Sequence, residues 1–258
     1  MSVTDFFQFE PASNIDTEIE QFKNREIKAR EIFKITEIEK KTAYDFIREY
    51  HYLKDAKFIS KYCYGLYIKD ILVGVSTFSN PQGISSMKSW FGLDNSNQSA
   101  LELSRLCMLP KLNGSNATSY LLANSMKLLK QKEVKAVITL ADDSRHVGSI
   151  YQVCNFKYYG LTDAKSDFFC SNGKVNPRGV TRNLEGVWLP RTRKHRYCFL
   201  LDKEMKILLT ESKRPAVDML NDYDCCNGTK IVHDNRFNKK YTCPVCSGVK
   251  KQPLKEIK

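Results

Sequence analysis

Residues 137–160 read VITLADDSRHVGSIYQVCNFKYYG, and this order of residues predicts a strand, a polar junction, a short helix and a second strand. The apolar run over residues 137–140 is β-prone and too short for a helix, which is typical of a buried parallel strand. Asp142, Asp143 and Ser144 follow it, and these residue types favour turns and helix caps. The sequence therefore places polar side chains at the end of a buried strand.

A short helix is predicted directly after this junction. Apolar residues recur there at helical spacing, at Val147, Ile150, Tyr151 and Cys154. Asn155 is able to close the helix in the left-handed conformation, and residues 156–159 resume a strand. We therefore expect Asp142 and Tyr151 to flank one crevice.

Upstream residues predict the rest of a core. Residues 63–68 and 71–78 are β-rich runs joined by Lys69 and Asp70, which indicates a hairpin. Residues 101–108 form the next predicted strand. A turn rich in small polar residues then opens a helix, and such a turn offers free amide groups to an anion such as the phosphates of a donor.

This order of elements resembles the core of acyltransferases with the N-acetyltransferase (GNAT) fold. The resemblance predicts an α+β or α/β architecture with a central mixed β-sheet flanked by helices, followed by a small cysteine-containing tail. It implies that Tyr151 protonates the departing group, and that a donor is bound near the loop KLNGSNA at residues 111–117. The residues that would contact the donor are Gly114, Ser115, Ser119 and Ser125.

The finer resemblance is to the Mom family of bacteriophage proteins that modify adenine in DNA, and it covers about residues 32–202. Short motifs carry it in joint order: His51-Tyr52, LSRL at 103–106, ATSYLL at 117–122, Ala141-Asp142, His146 to Gln152, and Lys194-His195-Arg196-Tyr197. It implies a DNA-modifying transferase that adds a small carboxamide-type group to adenine N6 and so protects phage DNA from host restriction.

The resemblance also implies catalytic roles, because an extruded adenine needs groups that handle the protons of its N6 amine. Asp142 would accept the N6 hydrogen bond, His51 would collect the proton and Tyr151 would protonate the leaving group. Tyr52 would stack on the base or share in the proton relay. Arg105 would hold the carboxamide or a phosphate of the donor.

Each of these residues also has a purely structural interpretation. Asp142 could cap the following helix, and Arg105 could be a paired arginine at the rim of the sheet. His51 could be a satisfied surface histidine, and Tyr151 a core aromatic with its hydroxyl at the rim. A His-Asp-Tyr set could instead hold a catalytic iron.

The charge of the chain indicates a polyanionic partner. The formal net charge is +12 and the pI about 9.2. Between residues 171 and 197 the only acid is Glu185, against seven basic residues: Lys174, Arg178, Arg182, Arg191, Arg193, Lys194 and Arg196. Trp188 and Tyr197 are interleaved with them, a mixture that suits backbone contact and base stacking on double-stranded DNA with a flipped adenine. A solvated, charged loop is the alternative.

The C-terminal tail carries candidate metal ligands. Cys243 and Cys246 have the C-x-x-C spacing that lets two thiolates bind one zinc ion. Cys225 or Cys226, with His233 or a further cysteine, would complete a structural site. Reduced cysteines in a frayed tail are the alternative. Four other cysteines fall in predicted core elements and are expected to be small core residues: Cys63, Cys107, Cys154 and Cys198.

We expect three parts in the chain: an N-terminal extension over residues 1–31, the GNAT-like domain over 32–203 and a basic module over 204–258. The first residues lack an apolar signal-like segment and no stretch is long and apolar enough to span a membrane, so the cytoplasm of a host cell is the expected location. Residues 84–99 predict a long insert over the site, in which Trp90 and Phe91 either meet a base or anchor the loop.

Three functions compete at this point. They are an adenine modifier of the Mom type, an acetyl-CoA-dependent N-acyltransferase acting on another amine, and a zinc- and nucleic-acid-binding protein without catalysis. The donor is open as well. An acyl-CoA, a glycyl group on transfer RNA or another activated glycine derivative would each supply an activated carbonyl, and a donor transfer RNA is therefore a possible partner.

Overall fold

A computed structural model describes residues 15–52, 58–81, 86–94, 96–170, 173–175, 184–215, 229–235, 238–244 and 256. Its helices are α1 Asp16–Lys23, α2 Ala29–Ile32, α3 Lys40–Tyr50, α4 Ser86–Phe91, α5 Ala117–Gln131 and α6 Ser149–Val153. Within these described ranges, no helix has the length and apolar character needed to cross a membrane.

The strands form three sheets. They are β1 Phe33–Glu37, β2 Tyr62–Ile68, β3 Ile71–Ser79, β4 Ala100–Met108, β5 Ala136–Asp142, β6 Lys157–Leu161, β7 Lys165–Cys170, β8 Gly173–Val175, β9 Gly186–Arg191, β10 Lys194–Leu200, β11 Ile231–Asp234 and β12 Lys239–Thr242. The largest sheet has seven strands in the order β1-β2-β3-β4-β5-β10-β6, and the smaller sheets are β8-β7-β9 and β11-β12.

The large sheet is mixed, as predicted. Strands β1 to β4 pair antiparallel in sequence order, whereas β4 and β5 run parallel. A parallel pair needs a long crossover, and the 15-residue helix α5 supplies it. Lys69 lies in the turn of the predicted β2–β3 hairpin with φ 52°, and Asn155 ends α6 with φ 62°, so both local predictions are confirmed.

The chain divides into two compact units that are each built from separate segments. Unit 1 comprises Met1–Thr139, Ile150–Lys157 and Tyr197–Glu211, and unit 2 comprises Leu140–Ser149, Tyr158–Arg196 and Ser212–Lys258. These boundaries differ from the predicted division at residues 32 and 204. One cause is α1, whose Ile19 and Phe22 are buried in the same apolar cluster as Phe33, so residues 16–23 belong to the core of unit 1.

The strands of unit 1 present different residues to the helices on each face. Ser76 on β3 hydrogen-bonds Ser125 of α5 at 2.9 Å, so this side of the strand faces α5. Side chains alternate along a strand, which turns Thr77 to the opposite face, where α3 packs on β2, β3 and β4. Phe46 and Ile47 of α3 are buried there.

The insert at residues 84–99 contains the short helix α4. Trp90 and Phe91 are buried, and the Trp90 carbonyl accepts a hydrogen bond from the Leu208 amide at 2.8 Å. The anchoring interpretation of these aromatics is therefore the correct one, because buried rings are not available to meet a base.

Unit 2 contains the two smaller sheets. Strands β7 and β9 are antiparallel, and Phe169, Val187 and Leu189 from their shared face are buried with Val232 and Tyr241 of the β11–β12 hairpin. A frayed tail is therefore wrong for residues 231–234 and 239–242. This hairpin buries apolar side chains in the core of its unit.

Gly186 is predicted to be indispensable to unit 2. A Cβ at this position would lie 2.1 Å from the Phe169 carbonyl oxygen, a backbone atom that cannot move aside. We expect Gly186→Ala to cost about 3 kcal/mol in the free energy of unfolding. Gly74→Ala is the matched control on another strand, because its Cβ meets only the flexible ends of the Met108 and Leu121 side chains, and about 1 kcal/mol is expected. Denaturant unfolding measures both, and equal losses would contradict this explanation.

Candidate active site

His51 follows the last residue of α3 and is held in a buried position. Its backbone amide donates to the Ile47 carbonyl at 2.9 Å, and its ring stacks on Tyr52 with centroids 4.3 Å apart. Burial and the nearby positive charge of Arg105 lower the pKa of His51 to about 4. The imidazole is therefore neutral at pH 7, the form in which one ring nitrogen carries a lone pair.

Arg105 lies on β4 on the α3 side of the sheet. Its Nη1 donates to the Ser104 carbonyl at 2.6 Å, and its guanidinium lies 5.8 Å from the centre of the Phe58 ring. Its Nε is buried and has no hydrogen-bond partner among the described residues. Arg105 is therefore paired at Nη1 but not, among the described residues, at Nε, and that N–H remains available for a ligand.

Tyr151 of α6 is buried between Tyr197 and Phe156, with ring centroids 5.5 Å and 5.8 Å away. Burial raises the pKa of its phenol, and a hydrogen bond with the Thr139 side chain offsets only part of that effect. A protonated phenol is the form that a general acid needs. Tyr52 also influences the Tyr151 phenol electrostatically, so unit 1 brings His51, Tyr52, Arg105 and Tyr151 into one neighbourhood.

Asp142 ends β5 and belongs to unit 2. Its Oδ1 accepts hydrogen bonds from the Ser144 hydroxyl at 2.8 Å and the Ser144 amide at 3.2 Å. Burial by itself would raise the pKa of this carboxyl, but the Ser144 bonds, Lys194 and Thr192 together lower it. Helix α6 begins only at Ser149, so the carboxylate organises the turn after β5 and does not cap the helix.

A buried chain of polar groups next to Asp142 was missed by the sequence analysis. The Tyr158 hydroxyl lies 2.9 Å from Nδ1 of His195, and Nε2 of His195 lies 2.7 Å from Oδ1 of Asp143. All three residues are less than a tenth exposed. The Asp143 amide also donates to the Arg193 carbonyl. Together these contacts of Asp143 hold the turn that carries Asp142. Only the Lys194-His195-Arg196-Tyr197 motif pointed toward it.

The predicted donor loop precedes α5 as expected. Gly114 has φ 78° with open space around it, and the Ser115 hydroxyl donates to the Leu112 carbonyl at 2.6 Å. The Ser119 hydroxyl donates to the carbonyl of Asn116, the residue before the helix. Ser125 is a correction, because it is fully buried against Ser76 and cannot contact a donor at the surface.

A cleft of about 980 Å³ runs along α5 within unit 1. Asn116 and Ser119 line it at the start of the helix, and Cys154 and Phe156 line it beyond α6. Four lysines are part of its wall: Lys127, Lys130, Lys135 and Lys203. The cleft thus combines apolar surface with positive charge, a combination that accommodates a phosphate-bearing organic molecule.

The predicted DNA-binding residues lie partly outside the described residues, namely Arg178, Arg182 and the side chain of Lys174. Arg191 and Arg193 are exposed, whereas Lys194 and Arg196 are half-buried. Trp188 is 48% exposed on β9, as a base-stacking ring requires. Tyr197 is a correction, because its ring is completely buried and its hydroxyl accepts a hydrogen bond from Gln152.

The predicted metal sites are not supported. Across the part of the chain that the structure describes, no group of three or more His, Cys, Asp or Glu residues is arranged to hold a metal ion, either zinc or iron. Cys243 is buried with Val232 and Tyr241, whereas His233 is exposed on the other side of β11. Strand alternation separates these two candidates. The other three proposed ligands, Cys225, Cys226 and Cys246, lie outside the described residues.

The predicted core cysteines are mostly as expected. Cys63, Cys107 and Cys198 are buried, and Cys154 is half-buried. Burial raises the pKa of the Cys107 and Cys198 thiols to about 12, so both remain protonated at neutral pH.

Several solved acetyltransferase structures resemble the chain at low identity. An IAA acetyltransferase from Bacillus cereus is 13% identical, with a TM-score of 0.42. The match covers 66% of this chain and 99% of that chain. A Bacillus subtilis acetyltransferase in complex with CoA is 15% identical, with a TM-score of 0.41 and coverage of 66% and 98%. A GNAT family acetyltransferase from Elizabethkingia anophelis with acetyl-CoA bound is 18% identical, with a TM-score of 0.41 and coverage of 66% and 98%.

Such weak similarities have no bearing on donor or substrate. The fold itself defines the class, a mixed seven-stranded sheet flanked by helices, as the GNAT-like prediction required. The model of the Mom protein family matches residues 32–217. The chain therefore belongs to the Mom protein family. A comparison with curated proteins finds no match.

The depressed pKa of His51 predicts how stability depends on pH. Between its ordinary pKa of 6.5 and about 4, the unfolded chain binds a proton that the folded protein does not. This contribution to the free energy of unfolding is therefore complete above pH 6.5 and declines as the pH falls toward 4, by at most about 3 kcal/mol.

Denaturant unfolding of the wild type and His51→Asn at about pH 7.5 and about pH 5 measures this effect. The wild type should lose more stability than the variant on acidification. His146, whose pKa burial also lowers, is present in both proteins and cancels in the difference. Parallel losses in the two proteins would contradict the assigned pKa.

Proposed function

We propose that the protein is a GNAT-like transferase that adds a small carboxamide-type group to the N6 amine of adenine in DNA. Family membership over residues 32–217 supports this proposal. The observation that carries it is that unit 1 holds a neutral His51 near Arg105 and a protonated, buried Tyr151, with Tyr52 next to both His51 and Tyr151. These are the base, acid and anion-binding group that a group transfer to an amine requires.

The chemistry of adenine N6 explains why such a set is needed. Its lone pair is delocalised into the ring, so the amine attacks only as its proton is removed. Neutral His51 accepts that proton while the new bond to the donor forms, and Tyr151 gives its phenol proton to the leaving group. Arg105 holds the carbonyl of the transferred group through its free Nε–H. Exposed Tyr52 stacks on the flipped base.

Asp142 has the charge that its proposed role demands. Its lowered pKa keeps the carboxylate ionised at neutral pH, and ionised carboxylates are acceptors only. In this proposal it accepts the N6–H of the extruded adenine and so increases electron density on the nitrogen. The hydrogen bonds from Ser144 and the buried chain through Asp143 fix its turn before the substrate arrives.

The DNA partner and the donor are part of the same proposal. Arg191, Arg193 and the exposed Trp188 supply charge and a stacking surface for DNA in a host-cell cytoplasm. The lysine-lined cleft along α5 suits a donor that carries phosphates, either an acyl-CoA or a glycyl group on transfer RNA.

A second function is favoured by the same cleft. Asn116 and Ser119 lie where the start of α5 meets the cleft, which suits the phosphates of acetyl-CoA. The protein would then be an N-acyltransferase acting on a different amine. The two functions differ in their product, so analysis of nucleosides separates them.

Expression in bacteria should convert a fraction of deoxyadenosine in DNA into a heavier N6-substituted nucleoside, measured by mass spectrometry. Asp142→Asn still accepts hydrogen bonds from Ser144 but loses its charge, and Tyr151→Phe loses only the hydroxyl. Both should lower modification at least about 100-fold while the protein stays folded, and Tyr151→Phe should melt slightly lower because it also loses the bond to Thr139. Tyr197→Phe, which loses the hydroxyl bonded to Gln152, is the matched control and should keep activity.

Unmodified deoxyadenosine in cells with folded wild-type protein would count against adenine modification. Co-expression of other genes from the same source controls for a missing partner. Full activity of Asp142→Asn would rule out its role as the acceptor.

DNA affinity should depend on different residues. Replacing Arg191, Arg193 and Lys194 with alanine should weaken binding to every DNA sequence and reduce the salt slope by up to about 3, because each lost phosphate contact removes about 0.9. The control replaces Lys34, Lys40 and Lys41, which are exposed in unit 1 and carry the same charge. Fluorescence anisotropy over a salt series measures both. Equal effects in the two variants would mean that only net charge matters.

A further inference from the structure

A second buried polar atom accompanies Arg105. Thr77 of β3 is registered directly opposite Arg105 of β4, so both side chains emerge on the α3 face of the sheet. Thr77 is fully buried, and its hydroxyl has no hydrogen-bond partner within the described ranges. The Nε of Arg105 is in the same state. Two neighbouring groups on this face thus lack a hydrogen-bond partner among the residues that the structure describes.

Two other hydroxyls of β3 do have hydrogen-bond partners. Ser76, the preceding residue, bonds Ser125 at 2.9 Å, and Ser79 bonds Ser104 at 2.7 Å. A buried polar group left unpaired costs about 1–3 kcal/mol. Such a cost at two adjacent positions is expected where a ligand supplies the missing partners.

The local chemistry restricts what that ligand is. The Arg105 Nε–H is a donor only, and the Thr77 hydroxyl is both donor and acceptor. Neutral His51 and the Phe58 ring border Arg105 without adding negative charge. A primary carboxamide satisfies both atoms, because its carbonyl oxygen accepts from Arg105 and its amide N–H donates to Thr77. An acetyl group has a methyl in place of that amide and so offers no N–H to the Thr77 hydroxyl.

We propose that Thr77 is a specificity-determining residue that, together with Arg105, binds the carboxamide of the transferred group and disfavours acetyl donors. This inference rests on the proposed function for the identity of the transferred group. It assigns a physical reason for the choice between the two candidate products, since a site built to hydrogen-bond a group rejects an analogue that lacks it.

The first measurement is the melting temperature without any ligand. Thr77→Val keeps the shape of the side chain and removes the unpaired hydroxyl, so the melting temperature should stay equal or rise. Ser76→Ala, the matched control on the same strand, removes a paired hydroxyl and should lower it. A fall for Thr77→Val as large as that for Ser76→Ala would overturn the inference, because the hydroxyl would then already have a partner such as a buried water.

The second measurement is saturation-transfer NMR of the full-length protein with acetamide and with acetone, which has a methyl in place of the amide. The wild type and Ser76→Ala should bind acetamide in preference to acetone, and Thr77→Val should lose that preference. Equal binding of the two probes by the wild type, or an unchanged preference in Thr77→Val, would overturn the inference. Because no DNA is present, failure of adenine modification in cells is a separate result that overturns only the proposed function.

Discussion

The short parallel ladder between β4 and β5 is the constraint on which the rest of unit 1 depends. Pairing joins Ala100–Glu102 to Ala136–Ile138, although both strands continue well beyond those residues. The parallel direction requires the crossover helix α5, and the limited pairing leaves backbone groups further along the strands that need other partners. The Thr139 hydroxyl supplies one, since it donates to the Leu103 carbonyl at 3.4 Å.

Thr139 also links the end of the ladder to the candidate acid. Its side chain hydrogen-bonds Tyr151, which holds the phenol of a buried ring in one orientation. Across β4, Arg105 has a free Nε, and a β-bulge at Ser104 sets which residues of this strand share a face. The Arg105 side chain on this face lies near His51.

In unit 2, the buried Asp143 carboxylate lies next to other polar side chains. The Asp143 carboxylate lies against His195, and His195 is in turn bonded to Tyr158, so each member of the chain has a polar neighbour inside the unit. Close buried polar contacts of this kind hold a turn in place. Asp142 projects from that turn with a low pKa, and its charge is kept by hydrogen bonds rather than by exposure to solvent.

The sequence by itself determined strands β2 to β6, the crossover helix, the Asn155 turn and the family, because alternation, helical spacing and turn chemistry are local properties. It also predicted His51 and Tyr151 as candidate catalytic residues. Only the tertiary structure decided that Ser125 and Tyr197 are buried, that His233 is separated from Cys243, and that His195 pairs with Asp143. The burial of Thr77 opposite Arg105 could not be predicted from the sequence for the same reason. A residue's face and partners depend on the register between distant strands, and a single bulge changes that register without leaving a mark in local sequence.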